Sequence, residues 1–238
     1  VEPVGGGLML VFSDMWAYLT DPTSWTGQGG MLQLLVEQLL LTVTAMGIAC
    51  VTALPIALWL GHRRQFGFLA VNISNIGRAV PTFAVLVLLA LGPIGNATFG
   101  PYGRAGLATL VALTLFALPP IVTNAYVAVS EVPEPVRDAA RGMGMGEREI
   151  FRRVELPQAL PLIVSGLRLA LVQVWATATI AALVAGPGLG RVITDGFFNT
   201  QYGKGLAGAL VVALVALALE LLAARGQRLA TPSGMRSA

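Results

Sequence analysis

Cysteine, histidine and charge are all scarce in this sequence: 238 residues hold one cysteine, one histidine and only 11% charged positions. One cysteine cannot build a disulfide framework or a thiolate metal cluster. Cys50 sits inside an apolar run, where a thiol behaves as a small buried hydrophobe. His62 stands next to Arg63 and Arg64. It has no second ligand with which to hold a metal, and its basic neighbours read as a contact with lipid headgroups. The lack of charge excludes more. Soluble domains carry about 25% charged residues, because a water-facing surface needs them. The net charge of +3 does not indicate nucleic-acid binding, because the basic residues fall in short clusters between apolar runs. No cleavable signal peptide is expected, since the first basic cluster, Arg63-Arg64, follows a long apolar segment instead of preceding one.

Apolar sequence is what the chain has in quantity, with 55% hydrophobic residues and a mean hydropathy of +0.76. A bilayer core about 30 Å thick is crossed by about 20 apolar helical residues. Five stretches qualify, at about 32–60, 66–91 (or 72–91), 107–129, 160–185 and 206–224. The expected fold class is therefore an all-α membrane protein with about five transmembrane helices. Five spans put the two ends on opposite sides. With the N-terminus outside, the cytoplasmic segments hold Arg63, Arg64, Arg137, Arg141, Arg148, Arg152, Arg153, Arg225, Arg228 and Arg236, with Arg78 and Arg168 near inner span ends. The outer loops then hold only Arg104, Arg191 and Lys204. Positive charge collects on the cytoplasmic side, so the N-terminus is expected outside and the C-terminus in the cytoplasm. Within the external segment 1–30, Leu8, Val11, Phe12, Met15, Trp16 and Leu19 recur at helical spacing over too short a length to cross. This predicts an amphipathic helix on the outer interface, with Trp16, Tyr18 and Trp25 suited to the headgroup boundary.

One connection is unusually structured, the cytoplasmic loop 130–157. Pro133 and Pro135 suit the first turn of a new helix, where a missing N–H is harmless, and Glu131 and Glu134 add negative charge where a helix N-terminus favours it. Val136, Ala139, Ala140 and Met143 repeat at i, i+3, i+4 and i+7, giving a short helix with a narrow apolar face. Gly142, Gly144 and Gly146 permit a sharp turn. A second short helix follows, with Ile150, Phe151 and Val154 on one face, Arg148, Arg152 and Arg153 towards solvent, and Leu156-Pro157 closing it. Two such helices fit a docking element, the small Ala139-Ala140 pair letting the first seat in a partner's groove. They fit equally a loop resting on lipid headgroups.

The stretch Asp138-Ala139-Ala140-Arg141-Gly142-Met143-Gly144, followed by Val154-Glu155-Leu156-Pro157, resembles the EAA motif of ABC-importer permeases. That motif reads Glu-Ala-Ala, three residues, Gly, nine residues, Ile, any residue, Leu-Pro. The spacing is kept, and Asp138 for Glu and Val154 for Ile are the departures. The resemblance implies a single permease domain over 1–238 with the type I ABC importer fold, in a prokaryotic cell membrane. It implies that 138–144 with Val154, Leu156 and Pro157 form the coupling site for cytoplasmic ATPase subunits. It also implies a second permease, the same or homologous, and an extracytoplasmic substrate-binding protein. ATP and Mg would be bound by the ATPase and no cofactor by this chain. Gly166-Leu167-Arg168, Val172-Gln173-Val174, Ala176-Thr177-Ala178-Thr179 and Gly188-Leu189-Gly190 further resemble the subclass that imports glycine betaine, choline and carnitine. This likeness covers about 33–196.

Other residues fit this reading. Gly203-Lys204-Gly205 lacks the upstream glycine and the following Ser or Thr of a phosphate loop, and reads as a loop glycine pair around an interfacial lysine. The small residues of the fourth span allow close helix approach, which makes Gln173, Thr177 and Thr179 candidate pathway-lining residues, with plain interhelical packing as the alternative. Trp175 could offer a cation its ring face, but packing or lipid contact is the commoner role. Glu37 and Glu220 lie near span ends, where a carboxylate finds an anchor or a local partner. An ion-coupled carrier would show internal repeats and midplane acids, an intramembrane enzyme a nucleophile with its base or a metal set; neither pattern is here. A permease for another small solute, such as an amino acid, stays open.

The orientation is directly testable. In a Cys50→Ala background, Arg191→Cys reacts with a membrane-impermeant maleimide in intact cells, and Arg148→Cys reacts only after permeabilisation. The reverse pattern would contradict the assignment.

Overall fold

A computed structural model describes residues 4–65, 67–68, 72, 77, 80–103 and 105–230. Every long element among them is a helix: α1 (Val4–Thr20), α2 (Pro22–Trp25), α3 (Met31–Arg63), α4 (Thr82–Leu91), α5 (Gly106–Ser130), α6 (Glu134–Gly142), α7 (Glu147–Ile150), α8 (Leu156–Ile180), α9 (Gly190–Phe198) and α10 (Tyr202–Ala230). Helices satisfy their own backbone hydrogen bonds, which lipid cannot do for them. Four helical runs are long and apolar enough to cross a membrane, beginning at Met31, Gly106, Glu147 and Tyr202. They correspond to the first, third, fourth and fifth expected spans. Within the second, the described part is α4, and much of 66–79 lies outside the described residues.

Residue size sorts the faces of α3. Ala45, Ala49, Ala53, Ala57 and Gly61 are buried in a row at every fourth position, while Val43, Val51 and Trp59 are exposed. Small side chains on one stripe let neighbouring backbones approach, and bulky ones on the other suit lipid. At about 1.5 Å per residue, α3 is about 50 Å long, more than the hydrocarbon requires. His62 and Arg63 belong to its last turn.

The chain divides into two compact units. One contains Val1–Ala45, Pro81–Leu113 and Val174–Ala218. At its centre the carboxamide of Gln38, fully buried, donates from Nε2 to Thr179 Oγ1 at 2.9 Å and accepts at Oε1 from Leu189 N–H at 2.8 Å. The turn over 186–190 needs its glycines. Gly188 has φ +108, and a side chain there would press on Gln38; a Cβ at Gly190 would lie 2.1 Å from the Thr179 carbonyl oxygen. Trp175 is buried and donates through Nε1 to the Val212 carbonyl at 3.2 Å, so its role is packing. In α1 the expected face divides: Val11, Met15, Tyr18 and Leu19 are half-buried, whereas Leu8, Phe12 and Trp16 are exposed. Gly203 is close-packed where a Cβ would meet Asp14 at 2.5 Å. Gly203, Lys204 and Gly205 lie in the first turn of α10 and not in a loop, and the glycine at 203 lets α1 come this near.

The second unit contains Met46–Val80, Thr114–Gln173 and Leu219–Ala238. Its core joins Ala57, Ala125, Ala128, Val129, Ala159 and Ile163, with Phe151, Leu156 and Leu167 packed against it. Arg168 donates through Nε to Glu220 Oε1 at 2.7 Å, the local partner expected for Glu220. The structure corrects one boundary. Leu156-Pro157 does not close the second loop helix, because α7 continues through a π-helical turn, Phe151–Glu155, directly into α8. Pro157 has no N–H for a regular helical bond and its ring crowds the preceding turn; the wider π winding accommodates it.

Replacing Gln38 with Leu leaves the buried Leu189 N–H without its acceptor, a loss of about 1–3 kcal/mol. A lowered thermal midpoint of the detergent-solubilised protein is the expected readout, and an unchanged midpoint would show that the 186–190 turn is held by other means.

Candidate functional site

The loop 130–157 is built from turn chemistry outward. Pro133 precedes α6 in extended backbone, Pro135 lies in its first turn, and Glu134 supplies negative charge there, where the helix N-terminus is electropositive. The helix ends at Gly142, and Gly144 turns the chain with φ +84 before α7 begins at Glu147. That left-handed conformation is open to glycine without strain.

Arg141 fastens the two short helices to each other. Its Nε donates to Glu147 Oε1 at 3.0 Å, and its Nη1 reaches Glu134 Oε1 at 3.1 Å and Asp138 Oδ1 at 3.0 Å. Glu147 first, then Glu134 and Asp138, hold its guanidinium pKa above the ordinary arginine value. Single exposed ion pairs contribute little; here one planar guanidinium spans three carboxylates and sets the loop's shape.

α6 turns a charged face inwards. Arg137 and Ala140, three residues apart, are buried at 4% and 1% exposure, while Val136, Asp138, Ala139 and Met143 are exposed. The apolar face expected from the periodicity is therefore divided: Ala140 packs within the chain, and Ala139 with Val136 and Met143 is presented outwards. Gly142 and Gly144 are exposed beside them. Val154, Leu156 and Pro157 are half-buried, Leu156 on the alanine-rich core. Of the candidate pathway residues, Gln173 is half-buried and Thr177 buried. Thr179 Oγ1 accepts from Gln38 Nε2.

Beneath α6 lies a cluster that sequence reading did not assemble. Glu155 is fully buried in the last position of the π-helical turn. His62 Nδ1 lies 2.6 Å from its Oε2, and Arg137 Nε lies 2.8 Å from its Oε1. That second contact is an ion pair without hydrogen-bond alignment. Arg137 Nη2 donates to the His62 carbonyl at 3.0 Å. The His62 ring also meets Phe151 edge-on at 5.4 Å. His62 is therefore a partner of a buried carboxylate and not a headgroup contact, because a carboxylate removed from water recruits the nearest donors. The only sequence signal was the spacing of Arg137 and Ala140, which places them on one helix face. On the outer side of α6, Arg64 bonds the Val132 carbonyl and pairs with Glu134.

Residues 53–233 match the family model described as "Binding-protein-dependent transport system inner membrane component". The chain is 30% identical over 210 residues to the osmoprotectant import permease protein OsmW of Salmonella typhimurium, covering 87% of this chain and 95% of the relative. It is 34% identical to OsmY of the same organism, covering 85% and 83%. It is 28% identical to the choline transport system permease protein OpuBB of Bacillus subtilis, covering 89% and 93%. Among solved structures, an inward-facing form of the MetNI methionine ABC transporter superposes with a TM-score of 0.67 at 23% identity, over 82% of this chain and 94% of that one, a likeness of fold. With its apolar helices, its structured loop and a family match over most of its length, the chain belongs to the inner membrane components of binding-protein-dependent transport systems.

Proposed function

We propose that this chain forms the translocation pathway of an osmoprotectant importer, carrying a small solute such as glycine betaine, choline or carnitine. The cargo rests on its relatives, which are named for osmoprotectant and choline transport. The mechanism rests on one observation: α6 with its C-cap presents Asp138, Ala139 and Met143 outwards while its opposite face is locked into the chain by Arg137 and Ala140. An element exposed on one side and anchored on the other can receive a push and pass it on.

In this reading α6 docks on a cytoplasmic ATPase that binds ATP and Mg, and a second permease completes the pathway. An extracytoplasmic binding protein delivers the cargo. Closure of the ATPases moves α6, and the helices alternate between two packings. Small side chains at Ala139, Gly142 and Gly144 keep the docking surface flat enough for close contact.

The two alanines of the loop separate docking from folding. Ala139→Glu leaves the thermal midpoint of the isolated chain unchanged and abolishes copurification with the ATPase. Ala140→Glu buries an unpaired carboxylate, which costs several kcal/mol, and lowers the midpoint itself. Copurification of the Ala139→Glu chain at wild-type yield would remove α6 as the docking element. The cargo is tested by reconstituting the permease, ATPase and binding protein in liposomes. ATP-dependent uptake of labelled glycine betaine, choline or carnitine is expected; uptake of methionine with none of these would overturn the osmoprotectant assignment.

A further inference from the structure

We infer that the buried cluster of Arg137, Glu155 and His62 is the joint through which displacement of α6 reaches the membrane helices α3 and α8, so that Arg137 and Glu155 are positioning residues for transport. This rests on the docking role of α6 and names the residues that make docking consequential.

Each member belongs to a different element. Arg137 is on α6, His62 is in the last turn of α3, and Glu155 closes the π-helical turn that runs into α8. One carboxylate therefore meets two of the elements at once, through Oε1 to Arg137 at 2.8 Å and through Oε2 to His62 at 2.6 Å. Arg137 closes the triangle by donating to the His62 carbonyl at 3.0 Å. Glu155 has no exposed surface and Arg137 has 4%, so neither charge can exchange its partner for water when α6 moves. Breaking such a pair strands a charge in a medium that solvates it poorly. The low-energy response is for the three elements to move together.

The helix geometry supports the same role. A π-helical turn is a local widening of the helix, closed by i→i+5 bonds, and is frequent at functional positions. Here it places Glu155 against α6 while Phe151 and Leu156 pack on the core of Ala57, Ala125, Ala128, Val129, Ala159 and Ile163. The charged joint therefore stands on an apolar floor and is held from below. Arg64, bonding the Val132 carbonyl and pairing with the exposed Glu134, ties the start of α6 to the end of α3 by a second route.

The test separates stability from coupling. Replacing a buried ion pair by apolar residues of similar volume leaves stability nearly unchanged, whereas removing one partner does not. Glu155→Gln is therefore expected to lower the thermal midpoint, and the double variant Arg137→Met with Glu155→Leu to restore most of it, His62 keeping Glu147 3.7 Å from its Nε2. In liposomes with the ATPase and binding protein, the double variant should assemble and hydrolyse ATP while solute imported per ATP falls by about tenfold. Arg137→Lys keeps the charge but lacks the planar fork that reaches both Glu155 and the His62 carbonyl, and should lose part of the coupling with its fold intact. If the double variant does not assemble, Arg137→Lys decides alone. Wild-type import per ATP in the variant that decides overturns the joint and leaves docking of α6 standing. Failure of the wild-type chain to bind any ATPase overturns the docking reading and the joint with it.

Discussion

A carboxylate with no access to water must find its positive charge within the protein, and Glu155 finds it in Arg137 while sharing its other oxygen with His62. Much of the loop depends on that requirement. It turns Arg137 inwards and so fixes which face of α6 looks out. It draws the last turn of α3 towards the first residues of α8. Desolvation makes the arrangement expensive to dismantle and tolerant of little rearrangement. A docking element needs this property, since a loosely held loop would absorb a push instead of passing it on.

Away from the cluster, the organising constraint is side-chain size. Where apolar lipid surrounds apolar side chains, helix association draws on close packing and internal hydrogen bonds. The alanine and glycine row of α3 is one solution. The glycine at position 166 is another: a Cβ there would lie 2.5 Å from Asn124 Cβ. In the first unit Gln38 shows the use of a buried polar group. One carboxamide in α3 holds both α8 and the turn that follows it, with no charge introduced at membrane depth.

The sequence carried the helices well, because a span announces itself by apolar length. It also carried the two-helix loop, whose prolines and glycines punctuate it. It did less well with faces. Periodicity placed Ala139 and Ala140 on one surface, yet the structure buries only Ala140, because Arg137 outranks the apolar positions in deciding what α6 turns inwards. An arginine in a short exposed loop gives no local sign that it will be buried; its counter-charge lies in a different element. The same holds for His62, whose basic neighbours pointed to lipid while its partner lies at Glu155, far along the chain. The end of the second loop helix was misplaced for a local reason, since Leu156-Pro157 punctuates a regular helix but not a π-helical turn.

A partner that covers the exposed side of α6 protects it from labelling. In a Cys50→Ala background, Met143→Cys places a thiol on that surface, which is exposed in the isolated chain. Rapid maleimide labelling of the permease alone and strong protection when the ATPase is bound are the expected results. Equal labelling rates with and without the ATPase would contradict docking through α6.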